Sequence, residues 1–420
     1  MSDVNFVNVE DFFRMQVAGA AKWFENNAIA YNAVKKYSDK KTLTPKGFRF
    51  HFWKNRPGGH SFPTTAAPDF NAAKPPQSES FFIRATEYAL PMVIHGRTLD
   101  AIRSGVESAL TGMAELIGLY TETATKRIEM MVPGDGTGAL AYANLGATLT
   151  PGAGTLVCHT SPNTTAGYTK GAFRLEVGQY YQAWDPTTGA LHGTFHVTTA
   201  GTSQCEVVVD SGTVVDEDRI TDVGANLKVP RGMAHLVGDH SRTLQTIATG
   251  SNPEWNSPIL DLTNRKITPS DIRQIKTTLN TRNNDTSAEH NLVCFTTNGQ
   301  IQILANQGYG FRKYTSTEST KGMPNKYEDG DTIWVEAADW DEDRLTFIKS
   351  GVLINAVEKE FGEYKEDGLD WRMLLGANST GSNRWQRAWG VIHNFGIKNV
   401  RPAAGIKRAT PGVTQVSAGR

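Results

Sequence analysis

Apolar residues recur at steps of three and four through Leu99, Ile102, Val106, Leu110, Met113, Ile117, Tyr120, Ala124, Ile128 and Met131. That is the spacing of one buried stripe on an α-helix. Thr98 stands where an N-cap belongs, Asp100 lies in the first turn, and Lys126 and Arg127 lie near the end, all suited to the helix dipole. Pro133-Gly134 stops the run. One helix over Leu99 to Met131 would rise about 50 Å at 1.5 Å per residue, far beyond an average globular helix. It reads as the backbone of a flat or elongated body. A second, N-terminal amphipathic helix is predicted within residues 9–36, where Val9, Phe12, Phe13, Val17, Ala20, Phe24 and Ala28 share a face.

Between these helices the period changes to two. Phe48, Phe50 and Phe52 alternate with Arg49, His51 and Trp53, and a second extended run follows at Phe81 to Tyr88. They are joined by Arg56-Pro57-Gly58-Gly59-His60 and a Pro-, Ala- and Thr-rich run from Pro63 to Pro76. A connection this long inside a compact domain is uncommon and tends to be functional or disordered. The pattern predicts a two-stranded arm that leaves the body and buries its apolar residues on a neighbouring subunit.

Residues 151–235 read as all-β, with short strands at Phe173 to Val177, Tyr180 to Trp184, Thr194 to Thr199 and Glu206 to Val209. Turn signals such as Asp185-Pro186-Thr187-Thr188-Gly189 separate them, predicting a small barrel or sandwich. Thr268-Pro269-Ser270-Asp271 carries an N-cap, a first-position proline and an acid three residues on, a strong helix start. A shorter helix is predicted over Gly299 to Asn306. Strands are predicted at Ile333 to Val335, Leu345 to Ile348, Val352 to Val357 and Gly390 to Ile397, before a basic, loosely patterned tail.

Lys plus Arg (43) equals Asp plus Glu (43), so the formal net charge is zero. A protein whose main task is gripping phosphates usually shows a basic excess. Charge is nonetheless segregated. Residues 35–56 hold Lys46, Arg49, Lys54 and Arg56 among eight cations, against Asp39 alone. Residues 328–343 are acidic and include Asp339, Asp341, Glu342 and Asp343. Complementary patches steer encounter and fix register, so these eight named residues are the candidate assembly contacts between neighbouring copies. Cys158, Cys205 and Cys294 form no CxxC pair and are odd in number, which fits a reducing cytoplasm better than a disulfide framework. No signal peptide and no apolar run near the ~20 residues of a membrane helix is visible. The chain is expected to be soluble and to have no membrane partner.

Candidate chemistry is thin. Gly134-Asp135-Gly136-Thr137-Gly138 trails a helix instead of opening one and lacks the Lys-Ser/Thr of a phosphate loop. It reads as a turn that reverses the chain. No HExxH, nucleophile elbow, kinase set or dinucleotide fingerprint occurs. His192 and His196 would share one strand face, and His235 and His240 flank Asp239, without a third ligand at usual spacing. The tryptophans are scattered as core or interface anchors would be. No catalytic residue, cofactor or metal site is assigned, and the chain is read as a non-enzyme.

The order of these parts resembles the tailed-bacteriophage major capsid fold of the Hong Kong 97 type, which encapsulins share. Gly47-Phe48-Arg49-Phe50 through Thr86 resembles its projecting E-loop, and Leu99 to Met131 its spine helix. The glycine run at 134–138 resembles the turn after that helix. Gly330-Asp331-Thr332-Ile333-Trp334 resembles the return through the peripheral domain, and Trp371-Arg372 with Trp389 the C-terminal region. The resemblance implies an α+β fold: an N-terminal arm (1–45), an E-loop (46–88) and a peripheral domain with spine helix (89–133). The start of an axial domain (134–150) follows, then an inserted β domain (151–235), the axial domain (236–326), the peripheral return (327–365) and a C-terminal region (366–420). It implies a virion protein, assembled in the host bacterial cytoplasm. Copies would form hexamers and pentamers of an icosahedral shell around double-stranded DNA, read without sequence specificity. A portal protein, and a separate scaffolding or decoration protein, are the implied partners. The segment before the E-loop is short for a fused scaffolding domain, and no motif here assigns the lysine–asparagine cross-link of some relatives. An encapsulin-like compartment is the alternative, and a β-rich carbohydrate-active enzyme a remoter one, which would need paired carboxylates across a cleft.

Overall fold

The computed structural model describes residues 16, 19–44, 46–53, 78–104, 107–160, 169–201, 204–240, 242–283, 291–308, 332–364, 372–375 and 381–410. The architecture is α+β, with two five-stranded sheets, a closed six-stranded barrel, two two-stranded sheets and several helices among the described residues.

The periodic stripe of residues 99–131 forms two helices, not one. Gly96–Arg103 comes first and Glu107–Met131 second. Thr98 therefore lies inside the first helix and does not cap it. The first helix closes at Ser104, whose amide and hydroxyl both bond back to the Asp100 carbonyl, at 2.9 and 2.8 Å. The second helix has 25 residues and spans about 37 Å, shorter than the sequence predicts. Its Met113 and Ile117 pack on Met92, Ile94 and Trp389, and its Ala124 and Ile128 on a cluster holding Tyr31, Val391 and Phe395. The stripe thus does what its spacing demands, and covers one face of a sheet.

That first sheet runs Asp39–Thr42, Leu353–Tyr364, Gly381–Ile397, with Arg372–Leu375 and Thr86–His95 both pairing the long strand Gly381–Ile397. Residues 19–27 and Ile29–Tyr37 are the helical parts of the predicted N-terminal helix. Its start, before residue 16, lies outside the described residues. The helix Ile29–Tyr37 has no capping side chain of its own. Glu129 of the long helix substitutes, accepting from Ala30 N at 2.9 Å and Tyr31 N at 2.8 Å. A carboxylate at a helix N-terminus meets both the orphan amides and the dipole.

The glycine run after the long helix is a turn. Gly136 (φ +84°) and Gly138 (φ +83°) are left-handed, and a Cβ on Gly138 would stand 2.7 Å from the Ala225 carbonyl oxygen. Only glycine takes that conformation freely. Asp135 Oδ1 accepts from Thr137 N at 2.9 Å and from the Thr137 hydroxyl.

The chain then enters the barrel. Its strands are Ala141–Ala143, Gly152–His159, Tyr180–Trp184, Leu191–Ala200, Gln204–Gly212 and Arg219–Asp222. The β region expected at 151–235 thus begins about ten residues earlier and closes at Asp222. Residues 173–177 are 3-10 helix and turn, not strand. Inward residues Leu156, Tyr181, Phe195, Val197, Val207 and Val209 fill it, and Met130 from the helix end joins them.

The second sheet has the order Ile259–Arg265, Ala403–Ala409, Leu345–Lys349, Leu292–Thr296, Ile333–Glu336. The tail read as loosely patterned thus supplies an interior strand. Helices Pro269–Asn283 and Asn298–Gly308 match the predicted starts. At the first, Asp271 Oδ2 accepts from Thr268 N and Oγ1, each at 2.8 Å, the acid's half of the capping box that the sequence signals.

Candidate assembly surface

The aromatic alternation at 48–53 makes strand Phe48–Trp53, paired antiparallel with Ser78–Ile83 in the register Arg49 to Phe82 and Phe50 to Phe81. Alternation sends the two faces to different surroundings. Phe50 lies 5.0 Å from Phe81, and Phe81 lies 5.0 Å from Trp255, ring to ring. Phe81 is fully buried. Phe82 N donates to Gln245 O at 3.3 Å. The described base of the arm buries Phe81 and Ile83 on its own chain, Phe81 against Trp255, while Phe48, Phe50 and Phe82 stay half-buried. For Phe81 and Ile83 this corrects the expectation that a neighbour must cover the arm's apolar residues. The connection read as the outreaching part, residues 54–77, lies outside the described residues.

The other face carries exposed Arg49 and His51 beside half-buried Phe82. The cations of the basic segment divide into two groups. Lys35 and Lys40 pair with Glu360 at 3.3 and 2.6 Å, and Lys41 with Asp39 at 3.0 Å. Lys46 and Arg49 are exposed and enter no ion pair among the described residues. Lys54 and Arg56 lie outside the described residues.

The acidic segment differs from its sequence reading. Asp341 and Asp343 are not surface charges but are buried. Asp341 takes Arg174 Nη2 at 3.1 Å and lies 3.9 Å from Arg344 Nε. Burial pushes the Asp343 carboxyl up to about 6. Asp339 is half-buried, its carboxyl raised by burial, and its carbonyl accepts from Arg174 at 3.0 Å. Glu342 is half-buried and its carbonyl accepts from Gln300 Nε2 at 2.8 Å. Glu328, Asp329 and Asp331 lie outside the described residues. The physical reason is Arg174, delivered by the barrel. A desolvated guanidinium needs a carboxylate, and the turn at 339–343 provides one.

Arg127 does the same on the helix side. Buried, it donates to the Arg174 carbonyl at 2.9 Å and Tyr181 Oη at 3.1 Å, and pairs with Asp222 at 3.2 Å. These two arginines seat the barrel on the helix and the second sheet. Sequence reading gave Arg127 a role at the helix end and gave Arg174 none.

The remaining candidate groups form no cluster. His192 Nδ1 meets Asp218 at 2.8 Å and His196 Nδ1 meets Asp210 at 3.0 Å, as separate pairs. Among the described residues no group of three or more His, Cys, Asp or Glu could hold a metal. No helix there is long and apolar enough to cross a membrane.

No family model and no curated protein matches the chain. Solved structures do. The capsid asymmetric unit of cyanophage A-1(L) aligns with TM-score 0.54 at 9% identity, over 90% of this chain and 93% of that chain. The capsid of a native GTA particle gives 0.45 at 10% identity, over 90% and 89%. The holo-SrpI encapsulin complex of Synechococcus elongatus gives 0.40 at 8% identity, over 92% and 90%. At these identities the likeness concerns fold. With sheets, helices and barrel placed as above, the chain has the Hong Kong 97-type capsid fold.

Proposed function

We propose that the chain is the major capsid subunit of a tailed bacteriophage, building the icosahedral head shell from hexamers and pentamers around double-stranded DNA. The observation that carries this reading is an alignment spanning nine-tenths of both chains with a cyanophage capsid protein. In this reading, helix Glu107–Met131 is the spine helix, the hairpin with residues 54–77 is the E-loop, and the barrel is the inserted domain. The virion is its place and the host cytoplasm its site of assembly. Portal, scaffolding and decoration proteins are its further partners.

The assembly contact proposed is electrostatic. Lys46 and Arg49, continued by Lys54 and Arg56, face the 328–343 segment of a second copy, which presents Asp339 and Glu342. Asp341 and Asp343 support that turn from inside. Exposed ion pairs are each weak, about 0–1 kcal/mol, so register and multivalency, not single contacts, hold such a shell.

Sedimentation velocity of the purified chain over a concentration series tests the reading. Discrete large species that grow with concentration support it, and a single monomer boundary throughout refutes it. An encapsulin-like compartment is separated by contents: nuclease-protected DNA supports the phage reading, a co-purifying enzyme the other.

A further inference from the structure

Between the hairpin base, the glycine turn and the segment at 227–246 lies a cleft of about 810 Å³. Arg84, Lys228 and Arg231 line it. Arg84 and Lys228 are exposed, and Arg231 is half-buried. No ion pair joins any of the three to a carboxylate among the described residues. Among the described residues the Arg231 guanidinium donates to the Thr243 carbonyl alone, at 3.4 Å. Asp135 and Glu87 line the same cleft without an ion pair to these cations, Asp135 Oδ1 accepting from Thr137 N at 2.9 Å, so the lining holds three cations against two carboxylates.

Arg84 and Arg231 line the same cleft, and burial, together with the Arg84 charge, pushes the Arg231 guanidinium below its ordinary value. An oxyanion between them would turn repulsion into two charge-assisted, fork-shaped contacts. We propose that this cleft is an oxyanion site, in which Arg84 and Arg231, with Lys228 at the rim, hold a phosphate-type or carboxylate group. His235, whose Nε2 lies 3.2 Å from Thr243 O, also lines it. The site stands on its own geometry and does not depend on the shell reading.

The test uses inorganic phosphate against chloride at matched ionic strength, with the purified chain at its lowest workable concentration. Thermal melting is expected to show a saturable rise in phosphate that is absent in R84Q/R231Q. Equal shifts in both proteins would be general salting and would overturn the site. Calorimetric titration of phosphate into the unaltered chain and into K228Q keeps the question open to refutation should the double variant not fold. Saturable heat, weakened in K228Q, is expected, and no heat in the unaltered chain overturns the proposal. Repeating the melt on assembled material distinguishes the sources. A retained phosphate response identifies a free anion as occupant, and a lost one a carboxylate of a second copy.

Discussion

Arg174 and Asp341 meet at 3.1 Å although 167 residues separate them in the chain. Both side chains are nearly buried, at 11% and 13% exposed. The contact joins the barrel to the turn leading into the second sheet, and Arg174 also reaches the carbonyls of Leu140 and Asp339, at 3.2 and 3.0 Å.

Removing one partner strips a desolvated charge of its nearest counter-ion. Complete loss of a buried partner costs about 3–5 kcal/mol, and the Arg344 contact of Asp341 and the carbonyls on Arg174 keep the loss below that. Arg174→Met and Asp341→Leu are each expected to lower the melting temperature markedly. The double variant should recover part of the loss, since neither member is then stranded, while Arg344 still loses its 3.9 Å contact with Asp341. Two single losses that simply add in the double variant would mean the pair is not coupled.

Glu129 carries a pH signature. Burial lifts its carboxyl to about 7 from 4.5, outweighing the amides of Ala30 and Tyr31 that favour the charged form. The folded chain then binds a proton more tightly than the unfolded one between those values. Stability therefore falls as pH rises from about 4.5 through 7, by up to about 3 kcal/mol. Glu129→Gln lacks this dependence, so its stability relative to the unaltered chain should improve from pH 5 to pH 8. Urea unfolding at both values measures it, and a constant gap would contradict the account.

His393 has the opposite sign. It is fully buried between Tyr31 and Phe395, with ring centroids at 5.3 and 5.0 Å, and desolvation holds it at about 4, with Glu360 opposing. The unfolded chain binds this proton more tightly, so stability is lost as pH falls from 6.5 through about 4. His393→Phe keeps the aromatic packing and removes that loss. Its melting-temperature advantage over the unaltered chain should be larger at pH 5 than at pH 7.5. No change in that advantage would show that the ring does not titrate there.

Charge reversal at Lys46, Arg49 and Lys54 together is expected to abolish assembly while leaving the far-ultraviolet circular dichroism and melting temperature within about 0.5 kcal/mol equivalents of the original, as surface changes usually do. Normal particles from this variant would remove the cationic hairpin face from the assembly mechanism.

Periodicity carried most of the fold. The stripe through Met113, Ile117, Ala124 and Ile128, the capping box at Thr268–Asp271, and the alternation at Phe48 to Trp53 all reflect local rules that a sequence displays. The break at Ser104 escaped because the apolar spacing runs through it without a fault. Strand Ala403–Ala409 escaped because alanines and basic residues carry no alternation. Its place between two strands is a tertiary fact. The acidic turn was misplaced for a similar reason: a run of carboxylates looks solvated until the arginine that buries it is found far along the chain. Neither the place of Arg174 nor the shared cleft of Arg84 and Arg231 leaves any signal in local sequence, because folding alone brings their surroundings together.

Cryo-electron microscopy of the purified, concentrated chain examines the central claim most directly. The account predicts closed shells or capsomer rings, with the Arg49 face of each hairpin against an adjacent copy. Uniform single subunits at high concentration, with that face toward solvent, would contradict it.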